Sequence, residues 1–416
     1  MKNILYLIPF VLFSFSGQDK NLKESDKIRS AQIKYLQGEN FIQLGIRGQS
    51  IRIAILDGGF IGTNTHPALK HLMERKQVIA TWNFVRNCEN VYTGVSHGTE
   101  VLSCIAGISE GQPLGLAPDA EFLLALTERR GEPLYEEINW AKAVDWAVEH
   151  GANIIQSSLG YTHQRYFTSQ LDGRHSIAAK AAIRAARKGV LIINCNGNEG
   201  LSRWKTLVTP ADADSILSVG AIDPETGLAA GFSSVGPTSD KRMKPNVSAP
   251  GTVLGVNTKG GTHIISGTSF SAPLITGFAA CAWQLHRSCT AQEIISLIEK
   301  SGHLYPYYDY AQGFGIPQAS NIINPLKNKP LTGIRISADR MSFTITLPSC
   351  NKDTSLVIPS DYFYYHISDP AGFLKRYGVY HVVNNSSIVI GSSDFQPGDT
   401  FRCFYNGEFA VWKDTK

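Results

Sequence analysis

The sequence lacks several features that mark other classes of protein. Its formal net charge is only +4 over 416 residues, so neither nucleic acid nor an anionic membrane is predicted as a main partner. It contains no Cys-x-x-Cys pair and no His-Glu-x-x-His, which argues against a metal site of the zinc type and against a redox motif. Beyond the N-terminus, no apolar run is long enough to span a bilayer.

The composition suits a large globular protein. Hydrophobic residues make up 43% and charged residues 18% of the chain, and its length allows one large domain and a small second one. The seven cysteines are an odd number, so at least one thiol stays free. A bridge between Cys350 and Cys403 is one open alternative.

The N-terminus has the pattern of a secretory signal peptide. Lys2 precedes an apolar run over 4–15, and small residues follow over 14–17. We expect residues 1–17 to be removed and the protein to be secreted or periplasmic. The alternative is a short membrane anchor, but the run is shorter than the roughly 20 residues that a spanning helix needs.

Apolar runs and helical patterns alternate through the first three quarters of the chain. This alternation predicts an α/β fold with a mostly parallel sheet and helices on both faces. The predicted strands lie at 51–56, 121–126, 153–158, 190–194 and 215–222. The predicted helices lie at 136–150, 177–188, 270–285 and 291–301.

The composition changes near residue 325. Lysine, asparagine and proline at 325–330 are typical of a linker, so we predict one domain over 18–325 and another over 331–416. Short runs rich in Ile, Val, Tyr and Phe predict that the second is a small β-sandwich. It contains no catalytic motif. Roles in export, surface attachment or carbohydrate binding remain open for it.

Three polar residues stand where strands end or helices begin, in the order Asp57, His97, Ser269. A serine hydroxyl becomes a nucleophile when a histidine takes its proton and a carboxylate holds that histidine in place. Each residue alone has a structural explanation: a turn aspartate, a structural histidine and a helix-capping serine. Together, with their glycine-rich surroundings, they favour nucleophilic catalysis.

A fourth segment, 196–200, supplies an amide. The side chain of Asn198 could donate a hydrogen bond to an oxyanion, together with the backbone N–H of Ser269. The structural alternative is an ordinary Asn-Gly turn. If all the structural alternatives held, four separate segments would match a catalytic pattern by coincidence.

This order of segments resembles that of the subtilisin-like serine proteases (subtilases), over about residues 44–317. The resemblance implies a triad of Asp57, His97 and Ser269 with Asn198 as oxyanion donor. It also implies that substrate binds along Ser158, Leu159 and Gly160, and at Gly197. A peptide would be added there as a strand, opposite the backbone at 126–129.

The chain departs from the family at several positions. Gly58 stands where many members have Ser or Thr, Glu100 where subtilisins proper have a second His, and Asn246 where an Asp is common. Residues 161–174 resemble an insertion after the cleft wall. Few residues precede the Asp57 strand, so folding without a prodomain and folding with help from another chain both remain open.

The leading hypothesis is a secreted serine endopeptidase that cleaves polypeptides through an acyl-enzyme. The rival is a peptide-binding module of the same fold without catalysis, although no triad member is missing. No cofactor is expected to be required. Structural calcium is left open, since no loop has convincing oxygen-ligand spacing. The cleft wall and Glu199 suggest a roomy first pocket for apolar side chains, and the oligomeric state is not predicted.

Overall fold

The structure is a computed structural model of the chain. It describes residues 16–129, 134–162, 164–325, 333–338, 342–348, 358–359, 361–383, 387–391 and 395–413. Most of the predicted signal peptide, residues 1–15, and most of the predicted linker therefore lie outside the described residues. The described residues include no helix that is long and apolar enough to cross a membrane.

A seven-stranded parallel sheet forms the centre of the larger unit. Strands are numbered in chain order throughout the molecule. Across this sheet they run β2 (Val78–Asn83), β5 (Glu121–Leu126), β1 (Arg52–Asp57), β6 (Ile154–Ser157), β7 (Leu191–Cys195), β8 (Leu217–Ile222) and β9 (Val247–Pro250). The inner strands are buried on both faces, which explains their continuous apolar sequences.

Nine helices occur in the described part of the chain. They are α1 (Ser16–Lys34), α2 (Glu39–Gln43), α3 (Lys70–Glu74), α4 (His97–Ala106), α5 (Leu134–Glu149), α6 (Ile177–Arg187), α7 (Thr268–Leu285), α8 (Ala291–Ser301) and α9 (Ala319–Ile323). Short 3-10 helices lie at Pro67–Leu69 and Thr168–Gln170.

The helices cover both faces of the parallel sheet. Successive residues of a strand point to opposite faces, and in β1 Ile53 and Ile55 join one core while Ala54 and Leu56 join another. Helices α4 and α7 contribute to the first core, and α5 and α6 to the second. The predicted α/β fold is therefore confirmed.

The antiparallel hairpin of β10 (Thr252–Val256) and β11 (Thr262–Ser266) leads directly into α7. Helix α1 contacts this hairpin, because Gln32 accepts a hydrogen bond from the backbone N–H of Leu254 and donates one to the carbonyl oxygen of Leu114. The N-terminal helix thus supports the segment that precedes the candidate nucleophile. A small hairpin, β3 (Ile108–Ser109) and β4 (Gln112–Pro113), follows α4.

Two antiparallel sheets form the C-terminal unit. One contains β12 (Arg335–Ala338), β13 (Ser342–Thr346) and β16 (Ser387–Gly391). The other contains β15 (Leu374–His381), β14 (Tyr362–Ser368), β17 (Thr400–Tyr405) and β18 (Glu408–Lys413). Phe343 of the first sheet shares a core with Phe363 and Phe401 of the second, so the sheets face each other as in the predicted small sandwich.

The C-terminal unit packs on the larger unit through aromatic side chains. The ring of Tyr307 stacks on that of Phe404 with centroids 6.1 Å apart, and His366 shares a 3.2 Å hydrogen bond with the Tyr307 hydroxyl. Cys403, one half of the bridge that the sequence left open, is a buried free thiol. Cys350 itself lies outside the described residues.

Candidate active site

The candidate residues meet at the carboxyl ends of the parallel strands. Asp57 is the last residue of β1, Ser158 follows β6, and Asn196 follows β7. Ligand-binding and catalytic groups collect at this edge of open α/β sheets, because the loops there diverge and leave a crevice. Helices α4 and α7 both begin at the same edge, and their first turns carry His97 and Ser269.

Asp57 and His97 form a hydrogen-bonded pair. The Nδ1 atom of His97 lies 2.8 Å from Oδ2 and 3.0 Å from Oδ1 of Asp57. The aspartate is fully buried, and the backbone N–H of Gly58 donates to its Oδ1 at 2.7 Å. This carboxylate would keep a proton on Nδ1, so that Nε2 of the imidazole has a free lone pair.

The charge of the imidazole depends on its neighbours. Burial alone would lower the pKa of His97, but the charge of Asp57, its hydrogen bond and the charge of Glu100 together raise that pKa above 6.5. Glu100 lies one turn further along α4, where its Oε1 accepts a hydrogen bond from the Ser96 hydroxyl. Two carboxylates therefore stabilise the protonated form of His97.

Ser269 is the second residue of the buried helix α7. Its hydroxyl donates to the carbonyl oxygen of Ser158 at 3.3 Å, and the Ser158 hydroxyl donates to the carbonyl oxygen of Ser269 at 2.6 Å. The rings of His97 and Phe270, the residue after Ser269, have centroids 5.6 Å apart. No hydrogen bond joins Ser269 to His97 in the described part of the chain. Such bonds often tighten only when substrate is bound.

Asn198 is held by the start of α7. Its Oδ1 accepts hydrogen bonds from both the backbone N–H and the hydroxyl of Thr268, each at 2.9 Å. The Nδ2 group then lies 3.5 Å from the point that a Cβ atom on Gly267 would occupy. The Nδ2 group of Asn198 can therefore donate a hydrogen bond next to the turn that precedes Ser269.

The predicted cleft wall is tied to the same network. Asn194 donates to the carbonyl oxygen of Leu159 at 3.1 Å, and Gly197 donates to the Thr268 hydroxyl at 3.3 Å. At Gly160 a Cβ atom would lie 2.1 Å from a methyl group of Val208, so only glycine fits there. The residues predicted for substrate binding therefore line one side of the site.

A cavity of about 640 Å³ lies beside His97 and is lined in part by the predicted cleft wall, at Ser158 and Leu159. Asp57, His97, Leu126, Glu128 and Ser158 are among the residues that line it. It joins the candidate catalytic residues to the end of β5, where the resemblance places the other edge of the substrate strand. A cavity of this size accommodates several side chains of an extended peptide.

Sequence reasoning missed three contributions to the site. The hydroxyl of Thr268 orients Asn198, Glu100 raises the pKa of His97, and Glu128 lines the cavity. The position of Thr268 at the first turn of a predicted helix offered a signal for the first. The other two depend on contacts between separate segments, which no local pattern encodes.

No group of three or more His, Cys, Asp or Glu side chains that could hold a metal ion occurs in the ranges that the structure describes.

Comparisons with known proteins identify the family of the chain. A model of the subtilase family, Peptidase S8, matches residues 48–315, which is more than half of the chain. The chain belongs to the subtilase family. Homologues in this family are serine endopeptidases, that is, hydrolases. The match includes every residue predicted for the site.

Subtilases from distant organisms are among its relatives. The chain is 31% identical to human membrane-bound transcription factor site-1 protease over 58% of this chain and 22% of that protein. It is 29% identical to subtilisin NAT of Bacillus subtilis subsp. natto, over 66% of this chain and 67% of that protein. The chain thus spans about a fifth of one relative and two thirds of the other.

Solved subtilase structures share the fold. MycP1 without its N-terminal propeptide has a TM-score of 0.57 at 22% identity, and covers 72% of this chain and 99% of its own. The prenylagaramide maturation protease PagA has a TM-score of 0.54 at 25% identity, and covers 70% of this chain and 99% of its own.

Proposed function

We propose that this subtilase is a secreted serine endopeptidase with Asp57, His97 and Ser269 as its triad. The observation that carries the proposal is the hydrogen bond between Asp57 and His97. The Asp57 carboxylate is buried, and His97 lies at the start of α4, beside the first turn of α7 that carries Ser269. A structural histidine would not require a buried carboxylate on Nδ1 and a serine at the N-terminus of the neighbouring helix.

The proposed reaction has two halves. His97 takes the proton of the Ser269 hydroxyl as its oxygen attacks the peptide carbonyl carbon, and the oxyanion accepts hydrogen bonds from Asn198 and from the Ser269 N–H. His97 then gives the proton to the leaving amine, and an ester to Ser269 remains. Water, deprotonated by His97, attacks that ester and releases the acid, which restores the serine.

The same proposal has consequences for cofactors, substrates and location. The reaction needs no cofactor, and calcium would have only a structural role. The substrates would be polypeptides in extended form, bound along Ser158–Gly160. Export through the N-terminal signal of residues 1–17 would place the enzyme outside the cytoplasm or in the periplasm.

The test is hydrolysis of an unstructured protein, such as reduced casein, by purified full-length enzyme and by Ser269→Ala. We expect the variant to lose activity by more than about a thousandfold, because it lacks the nucleophile. Ser266→Ala, which removes an exposed hydroxyl three residues earlier, is the matched control and should remain active. Equal rates for Ser269→Ala and the parent would contradict the triad.

A further inference from the structure

Glu128 is a carboxylic acid that lines the candidate substrate cavity. It lies two residues after β5 and lines the cavity together with Asp57 and His97. Its Oε1 accepts a 2.8 Å hydrogen bond from the hydroxyl of Tyr161, whose ring is buried. No ion pair to a lysine, arginine or histidine is formed by Glu128 in the described part of the chain.

A second carboxyl group lies beside it. Glu136, in the first turn of α5, is fully buried, and its Oε1 accepts a hydrogen bond from the backbone N–H of Arg129. Its Oε2 is buried and accepts no hydrogen bond from an N–H or hydroxyl group, but the Glu128 and Glu136 carboxyl groups can share a hydrogen bond when one of them is protonated. Glu136 has no ion pair among the described residues either. Two ionised carboxylates buried together without a countercharge are costly, and either a proton on one of them or a cation from outside relieves that cost.

Two arginines also line the cavity. The guanidinium group of Arg129 lies over the ring of Tyr135, 5.2 Å from its centroid, and Arg86 is the second arginine of the lining. The charges that act most strongly on Glu128 are nevertheless those of other carboxylates, Glu136 and then Asp57. The part of the cavity around Glu128 is therefore electronegative.

The direction of the bound peptide decides which side chains reach this region. In an extended strand, alternate side chains point to the same face and lie about 7 Å apart. A peptide paired with Ser158–Gly160 would direct the second and fourth residues before the cleaved bond into the cavity that runs from His97 to Glu128.

We infer that Glu128 is a specificity-determining residue, which makes this cavity prefer a lysine or arginine side chain at the second or fourth position before the cleaved bond. The inference rests on the proposed endopeptidase function and adds a substrate class to it. The cationic group would replace water beside the Glu128 carboxylate and provide the countercharge that the described residues do not supply.

The protonation of Glu128 links this preference to pH. Burial, and after it the charge of Glu136, raise the pKa of Glu128 to about 8. The empty cavity thus holds a neutral acid below that pH, and a bound cation must drive one proton from Glu128 into solvent. The preference for basic side chains should therefore strengthen between pH 6 and pH 9, as this proton is lost more easily.

The test compares peptides that differ only by arginine or glutamine at the second or the fourth position before the cleaved bond. We expect kcat/KM of the full-length enzyme at pH 8.5 to favour arginine at one of these positions by at least about tenfold, the size of one charge-assisted contact. Glu128→Gln should reduce this ratio toward one. Glu149→Gln, on the exposed end of α5, is the control and should keep it.

A measurement on the unaltered enzyme covers the case in which Glu128→Gln does not fold. For this enzyme, the ratio of kcat/KM for the arginine peptide to kcat/KM for the glutamine peptide should rise with pH. The titration of His97 affects the cleavage of both peptides equally, so it cancels from the ratio. A ratio near one, a ratio independent of pH, or a preference for glutamate over glutamine would overturn the inference and leave the proposed function standing. Hydrolysis of none of the peptides would overturn both.

Discussion

At the scale of single residues, the proposed mechanism makes activity depend on the charge state of His97. The imidazole must be neutral to accept a proton from Ser269, whereas Asp57 and Glu100 favour its charged form. The rising limb of activity with pH should therefore lie above pH 6.5, the pKa of an unperturbed histidine.

Glu100→Gln tests the electrostatic part of this account. Removing the negative charge should lower the pKa of His97 and move the rising limb of kcat/KM to lower pH, by roughly half a pH unit. The pH profile is measured with one peptide substrate, and Glu110→Gln, an exposed residue beyond α4, is the control. An unchanged limb, or one displaced to higher pH, would show that Glu100 does not act on His97.

The sequence predicts the positions of Asp57, His97, Ser269 and Asn198, because each is marked by glycine-rich neighbours and by the end or start of an element. It does not predict the role of Glu128. That role arises because Tyr161 and Glu136 are brought beside it from two other segments. The pKa of a buried group depends on such distant neighbours, which local patterns do not reveal.

At the scale of elements, helix α1 belongs to the catalytic unit because Gln32 bridges two backbone segments. Gln32→Ala would leave the N–H of Leu254 and the carbonyl of Leu114 without these partners in a buried place. We expect the free energy of unfolding to fall by about 2 kcal/mol.

Denaturant unfolding measures this change, and Ser269→Ala as the background prevents self-cleavage during the experiment. Glu24→Ala, an exposed position of α1, is the control and should change stability little. Equal stability of Gln32→Ala and the control would show that α1 does not support the hairpin.

The strands of the central sheet were predictable to different degrees. Strands β1, β5 and β7 are continuous apolar runs, because both of their faces are covered by helices. The edge strand β2 is only partly buried and mixes polar with apolar residues, so no run marks it. The hairpin strand β11 is largely exposed and gives equally little signal.

At the scale of the whole molecule, the C-terminal sandwich and the catalytic unit share an aromatic contact around Tyr307. The runs of Ile, Val and Tyr predict the sandwich, since each strand alternates inward and outward side chains. They do not predict where it docks, because the docking residues look like ordinary core aromatics in both units. The boundaries at 325 and 331 remain predictions.

Tyr307→Ala would leave a cavity at this contact and remove the partner of the His366 ring nitrogen. We expect a loss of about 3 kcal/mol in the free energy of unfolding, typical of a buried aromatic side chain, with faster protease cleavage between the units. Thermal unfolding and limited trypsin digestion in the Ser269→Ala background measure both effects. Val411→Ala, half-exposed on the sandwich, is the control, and equal behaviour of the two variants would contradict the docking contact.

The proposed activity depends above all on Asp57, His97 and Ser269 acting together in the transfer of one proton. Labelling with an alkyl fluorophosphonate, located by mass spectrometry of peptides, tests this most directly, because the reagent bonds only to an activated serine oxygen and releases fluoride. We predict one label, on Ser269, and its loss in His97→Ala under the same conditions. A protein that takes up no label at Ser269, or takes it up equally fast without His97, would contradict the account.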